Sequence, residues 1–192
     1  MSAPLVIIGT GLAGYNLVKE FRKIDAERDV IMLTADDGRQ YSKPMLSTGF
    51  SKQKDDNGLA MNDAGAMAEQ LKIEIRTHQT ITAINPADKV VMLGNEALSY
   101  GDLVLALGAE PFQLPIEGSE HLYHVNDLID YAAFHGAVQG KKRVLVMGAG
   151  LVGCEYAHDL ASAGFAVDLV APDAQPLSRL VPAPCGDALK PA

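Results

Sequence analysis

A glycine fingerprint that occurs twice restricts this chain's fold more than any other feature. The first copy reads Leu5-Val6-Ile7-Ile8-Gly9-Thr10-Gly11-Leu12-Ala13-Gly14, and the second Val144-Leu145-Val146-Met147-Gly148-Ala149-Gly150-Leu151-Val152-Gly153. In each, an apolar run leads into G-x-G-x-x-G and then into a helix-like stretch. The first glycine permits a tight turn, the second lets a pyrophosphate approach the backbone, and the third lets the helix lie close on the strand. The helix start then offers free N–H groups to the anion. One copy is a weak signal. Two, each behind a strand, predict two nucleotides held by one protein.

The first copy has its expected sequel. The run from Asp29 to Asp36 reads as a strand ending in an acid. Asp36 stands about 20 residues past the glycines, where a carboxylate meets a ribose hydroxyl. Between them Leu17, Val18, Phe21 and Ile24 recur at helical spacing and predict one buried face. With Asp37 and Gly38 beside it, Asp36 also fits a plain polar turn. After the second copy come a helix over 155–163, a Gly164 stop, a strand Ala166–Val170, and then Ala171-Pro172-Asp173. No arginine stands there to take a 2′-phosphate, which favours NADH over NADPH. Glu155 reads as a first-turn carboxylate, for which the helix dipole alone supplies about 0.3–1 kcal/mol.

The chain's 192 residues, 48% of them hydrophobic, fit one or two globular domains. A formal charge of −8 argues against nucleic-acid binding. The short triplet Lys141-Lys142-Arg143 either solvates a turn or docks an acidic carrier. No apolar run approaches the ~20 residues that cross a bilayer. The stretch Leu5–Gly14 lacks the basic leader of a signal peptide, so a cytoplasmic protein is expected. Cys154 and Cys185 are too few for a disulfide framework or a four-thiolate metal site. Cys154 reads as a small packed hydrophobe, its place near a helix start being the one ground for a lowered thiol pKa. His121-x2-His124 is the only histidine pair with ligand-like spacing, and no metal is expected. Ser47, in Leu-Ser-Thr-Gly, reads as a turn residue.

Tyr41-Ser42-Lys43-Pro44-Met45-Leu46-Ser47 follows the first acid. It resembles the Y-x-R-P-P-L-S-K pattern of the FAD-dependent, NAD(P)H-oxidising reductases of small iron–sulfur and rubredoxin-type carriers. Lys43 takes the Arg place, Met45 a Pro place and Thr48 the final Lys place; Lys at 43 points to the rubredoxin branch. Asp102–Pro111 is similar to that family's D-x-L-V-L-A-T-G-A-x-P run, with Leu107 in place of Thr. Thr80–Ile84 is similar to its strand that faces the flavin adenine at Ile81.

The resemblance implies FAD held by Gly9, Thr10, Gly11, Leu12, Ala13, Gly14 and Asp36, with Lys43, Pro44, Ile81, Ala106 and Gly108. It implies NADH as substrate at Gly148, Gly150, Leu151, Val152, Gly153, Glu155 and Asp173. It makes Glu155 and Lys43 the catalytic residues, with Glu155 near the flavin ring and the nicotinamide and Lys43 as its expected cationic partner. Disulfide reductases of the same plan carry a C-x4-C pair after the first βαβ unit. No cysteine lies between Asp36 and Asn62 here, which implies direct electron transfer to an outside carrier, rubredoxin or a similar small iron protein.

The expected fold is α/β: a two-Rossmann-type FAD/NAD(P)-binding architecture with three-layer parallel sheets, C-terminally truncated. Residues 1–110 are expected as the FAD-binding domain and 111–192 as an incomplete NAD-binding domain, with Pro111, Pro115 and Gly118 marking the linker. Relatives continue well beyond this length and return to the flavin through an A-x-G-D strand. Gly101-Asp102 and Gly186-Asp187 stand in other contexts. The chain is therefore expected to be the first half of such a protein, with weakened or lost FAD binding on its own. The rival expectations are a ferredoxin or flavorubredoxin reductase, and an inactive nucleotide-binding fragment.

Overall fold

The computed structural model describes residues 3–190. In chain order it begins with β1 (Leu5–Ile8), α1 (Leu12–Ile24), β2 (Val30–Leu33), α2 (Asp56–Leu59) and α3 (Ala64–Leu71). Five short strands follow: β3 (Glu74–Arg76), β4 (Ala83–Asn85), β5 (Val90–Leu93), β6 (Glu96–Ser99) and β7 (Asp102–Leu105). The rest is α4 (Leu128–Ala137), β8 (Arg143–Met147), α5 (Leu151–Ser162), β9 (Ala166–Val170) and α6 (Ala183–Ala188). These form two compact units, one of Met1–Ser42 with Ala60–Ser119, the other of Lys43–Leu59 with Glu120–Ala192.

In the first unit four parallel strands lie in the order β3-β2-β1-β7. Both faces of the central pair are covered, which is why β1 and β2 read as unbroken apolar runs rather than alternating ones. Leu5, Ile7, Val30 and Met32 meet Tyr15 and Val18 of α1 and Met67 and Leu71 of α3. Val6, Ile8, Ile31 and Leu33 meet Val91 and Leu93 of β5 together with Tyr100. Each fully buried aliphatic side chain of this kind contributes about 1.5–3 kcal/mol. The second face is covered by the antiparallel sheet β4-β5-β6, whose first hairpin turns at Pro86–Lys89. The Arg28 guanidinium reaches Asp102 at 2.6 Å and holds that carboxyl below the usual carboxylate range.

Three expectations change here. Ile24, placed on the buried face of α1, is 86% exposed because it ends the helix beyond the core. Ile81 precedes β4 instead of lying in it, although its side chain still packs beside Val91 and Leu93. β6 was not anticipated, since Glu96, Ala97 and Ser99 carry little strand signal; the Gly94 turn, at φ +62°, folds it back onto β5.

In the second unit β8 and β9 pair in parallel, Arg143 opposite Ala166 through Met147 opposite Val170. Val144, Val146, Val167 and Leu169 are at least partly buried, whereas the alternate residues Leu145, Met147 and Val170 are exposed. Asp127 caps α4, as its position suggests, by accepting the Asp130 N–H at 2.8 Å. The segment 43–59, expected with the first domain, belongs to this unit. Its Phe50 ring lies 5.4–6.0 Å from those of Tyr131, Phe134 and Phe165, and the Tyr131 hydroxyl donates to the Lys54 carbonyl at 2.7 Å. The proline-bearing tail, which shows no periodicity, still makes the short helix α6 behind Pro182.

Candidate nucleotide-binding sites

The two fingerprints fold alike. Gly9 donates its N–H to the Leu33 carbonyl at 2.8 Å, and Gly148 donates to Val170 at 2.8 Å, so each turn is tied to the end of the neighbouring strand. Gly9 and Gly148 sit at φ +110° and +107°, a region that disfavours side chains. A Cβ on Gly14 would strike the Gly9 carbonyl, and one on Gly153 the Gly148 carbonyl. These glycines serve the close approach of helix to strand.

The middle glycines differ. A Cβ on Gly11 or Gly150 would meet nothing within 4 Å. No described protein atom would obstruct a side chain at either position, so the backbone there is open to close approach from outside. Both are N-cap residues without a side-chain cap, so the first N–H groups of α1 and α5 point outward unpaired by a cap. That arrangement fits a pyrophosphate. Leu12, Leu151 and Val152 are 54%, 59% and 62% exposed at these helix starts. Ala106, after β7, donates its N–H to the Ile8 carbonyl at 2.8 Å, and its own carbonyl lies where a Gly9 Cβ would go. Gly108 follows at φ +74°, turning the chain away.

Asp36 is held through one side-chain oxygen and leaves the other open. Its Oδ1 accepts from Thr34 Oγ1 at 2.6 Å, the Gly38 N–H at 2.9 Å and Thr10 Oγ1 at 3.3 Å. Among the described residues no donor meets Oδ2. Thr10 and Thr34 are buried, so the orientation is rigid. The Tyr15 hydroxyl, directly after the third glycine, donates to the Gly38 carbonyl and pins the same turn. Burial, with Asp36, Asp37 and Asp63 nearby, pushes the Tyr15 phenol well above its ordinary pKa and keeps it a donor. Thr10 was expected at the site only as a fingerprint residue; Thr34 and Tyr15 were missed, although both flank the motif.

The second fingerprint lacks such a carboxylate brace. Asp173 is exposed just after β9. Glu155 lies in the second turn of α5, since the helix begins at Leu151; the dipole argument for it therefore fails. Cys154 likewise gains nothing from the helix start: burial pushes its thiol up. Lys43 and Glu155, expected as partners, each meet a different group. Lys43 Nζ donates to Asn126 Oδ1 at 2.7 Å, and Glu155 Oε2 accepts from Ser47 Oγ at 2.8 Å. Pro44 is the second residue of the 3-10 turn Lys43–Thr48 and is exposed. Asp159, which sequence reading passed over, is 3% exposed and binds the segment 50–51 to α5.

Two β-α-β units, each closing on an open glycine turn, define a dinucleotide-binding fold of the Rossmann type. The chain belongs to the pyridine nucleotide-disulphide oxidoreductase family, whose model matches residues 3–192. The rubredoxin-NAD(+) reductase of Alcanivorax borkumensis is 50% identical over 188 residues, covering 97% of this chain and 49% of that protein. The nitric oxide reductase FlRd-NAD(+) reductase of Aeromonas hydrophila is 41% identical over 183 residues, covering 95% and 47%. Among solved structures, the covalent putidaredoxin reductase–putidaredoxin complex matches with a TM-score of 0.84 at 25% identity, covering 98% of this chain and 46% of that one. The chain thus spans about half the length of the curated relatives it matches. No helix among the described residues is long and apolar enough to cross a membrane.

Proposed function

We propose that this chain carries the nucleotide-binding part of an FAD-dependent reductase that takes electrons from NADH and delivers them to rubredoxin or a similar small iron carrier. The observation that carries the reading is Asp36: one oxygen saturated, the other open, at the strand end that follows a fingerprint with an open middle glycine. An acceptor-only group in that position suits a ribose diol. In this reading Gly9–Gly14 and the start of α1 hold the FAD pyrophosphate, and Asp36 Oδ2 takes the adenosine ribose. Gly148–Gly153 and the start of α5 hold NADH, with Asp173 and no nearby arginine at the end of β9. When bound, the flavin accepts a hydride and returns its two electrons singly. The protein's part is to orient the dinucleotides and to hold Glu155, through Ser47, as a hydrogen-bond acceptor beside the nicotinamide. A reductase fed by NADH works where NADH is held, in the cytoplasm.

Rubredoxin is preferred as acceptor because the 50%-identical relative bears that name. The 41%-identical relative, named for a flavorubredoxin-type acceptor, supports the second reading. Carrier kinetics separate the two. The proposal itself is tested by supplying the chain with FAD and adding NADH without oxygen. Bleaching of the flavin absorption faster than in protein-free FAD, and weakened about tenfold or more by Asp36→Ala, is the expected result. No acceleration over free FAD would leave only a nucleotide-binding fragment.

A further inference from the structure

Two carboxylates one helical turn apart on α5 grip the segment 43–51. Asp159 accepts the N–H groups of Phe50 at 2.8 Å and Ser51 at 2.9 Å, together with the Ser51 hydroxyl. With Phe50 wedged among Tyr131, Phe134 and Phe165, this anchor leaves the preceding 3-10 turn little freedom. Four residues earlier on the helix, and therefore on the same face, stands Glu155. There the Ser47 hydroxyl, on a residue 5% exposed, meets Glu155 Oε2 at 2.8 Å. Its other acceptor in reach is the Pro44 carbonyl of its own turn, at 3.1 Å. Glu155 itself is exposed. An exposed glutamate samples several rotamers unless something fixed holds it. The one cation of the segment's first turn, Lys43, is engaged by Asn126.

We propose that Ser47 is a positioning residue for Glu155. Its buried hydroxyl fixes Oε2 and leaves Oε1 directed for a nicotinamide nucleotide held at the second fingerprint. The inference rests on reading that fingerprint as the NADH site. Asp159 acts one step further back, by placing the turn that carries Ser47.

The test uses the full chain with glutamate labelled at the carboxyl carbon, the Glu155 resonance being assigned by its loss in Glu155→Gln. Ser47→Ala is expected to shift that resonance and to weaken NADH binding by about threefold to tenfold. Ser47→Thr, which keeps the hydroxyl, is expected to restore both. A Glu155 resonance unmoved by Ser47→Ala overturns the inference. If Ser47→Ala moves the resonance but saturating NADH leaves it unchanged in the unsubstituted chain, the contact stands and the NADH-site reading fails. A purely structural role for Ser47 would lower the melting temperature without shifting the resonance, and that outcome also overturns the inference.

Discussion

At the scale of single residues, the glycines of one fingerprint do different work, and substitution separates them. A methyl on Gly153 lands on the Gly148 carbonyl, while a methyl on Gly150 enters open space. Gly150 also has an ordinary extended backbone, at φ −81°. Gly153→Ala is therefore expected to lower unfolding stability by about 1–3 kcal/mol through the forced shift of helix against strand. Gly150→Ala is expected to change it by less than about 1 kcal/mol. Denaturant unfolding of the two variants checks the contrast. The fingerprint glycines and Asp36 were legible because each answers a local steric or chemical demand written in neighbouring residues. Ser47 and Asp159 were not, because their meaning lies in a contact between positions more than a hundred residues apart. Nothing in Leu-Ser-Thr-Gly announces a glutamate on a later helix. The dipole account of Glu155 as a first-turn carboxylate fell with the observed start of α5, while its expected place near the nicotinamide rests on the family resemblance.

At the scale of elements, the strongest long-range tie in the second unit joins the segment 43–59 to α5 through Asp159. A buried carboxylate stripped from two backbone N–H groups leaves both without a partner, a cost that exceeds the net value of the bonds themselves. Asp159→Ala is expected to destabilise the chain by about 3 kcal/mol. Amide exchange should quicken first across residues 43–59, while β1 and β2 stay protected. Uniform loosening of the whole chain would show that the segment is not held in this way. Elements with a clear period were read within a few residues: β1, β2 and β9 lie where their apolar spacing put them. β6, α2 and α6 escaped because they are short and rest on turns rather than on apolar periodicity.

At the scale of the molecule, the sequence order suggests a boundary near residue 110, and chain packing adds the segment 43–59 to the later unit. The aromatic ring of Phe50 and the buried, hydrogen-bonded side chain of Asp159 tie that segment to α4 and α5, and neither is visible as a composition change along the chain. Each unit then owns one complete fingerprint: Gly9–Gly14 with Asp36 in the first, Gly148–Gly153 with Glu155 in the second. Their nucleotide preferences should be separable by mutation. The most direct test is calorimetric titration of the chain with FAD and, separately, with NADH, in Asp36→Ala and Gly150→Ala backgrounds. Expected is a crossed pattern: Asp36→Ala weakens FAD binding by about tenfold or more and spares NADH, and Gly150→Ala does the reverse. If either substitution weakens both ligands, or Asp36→Ala weakens NADH and spares FAD, the assignment of one dinucleotide to each fingerprint is wrong.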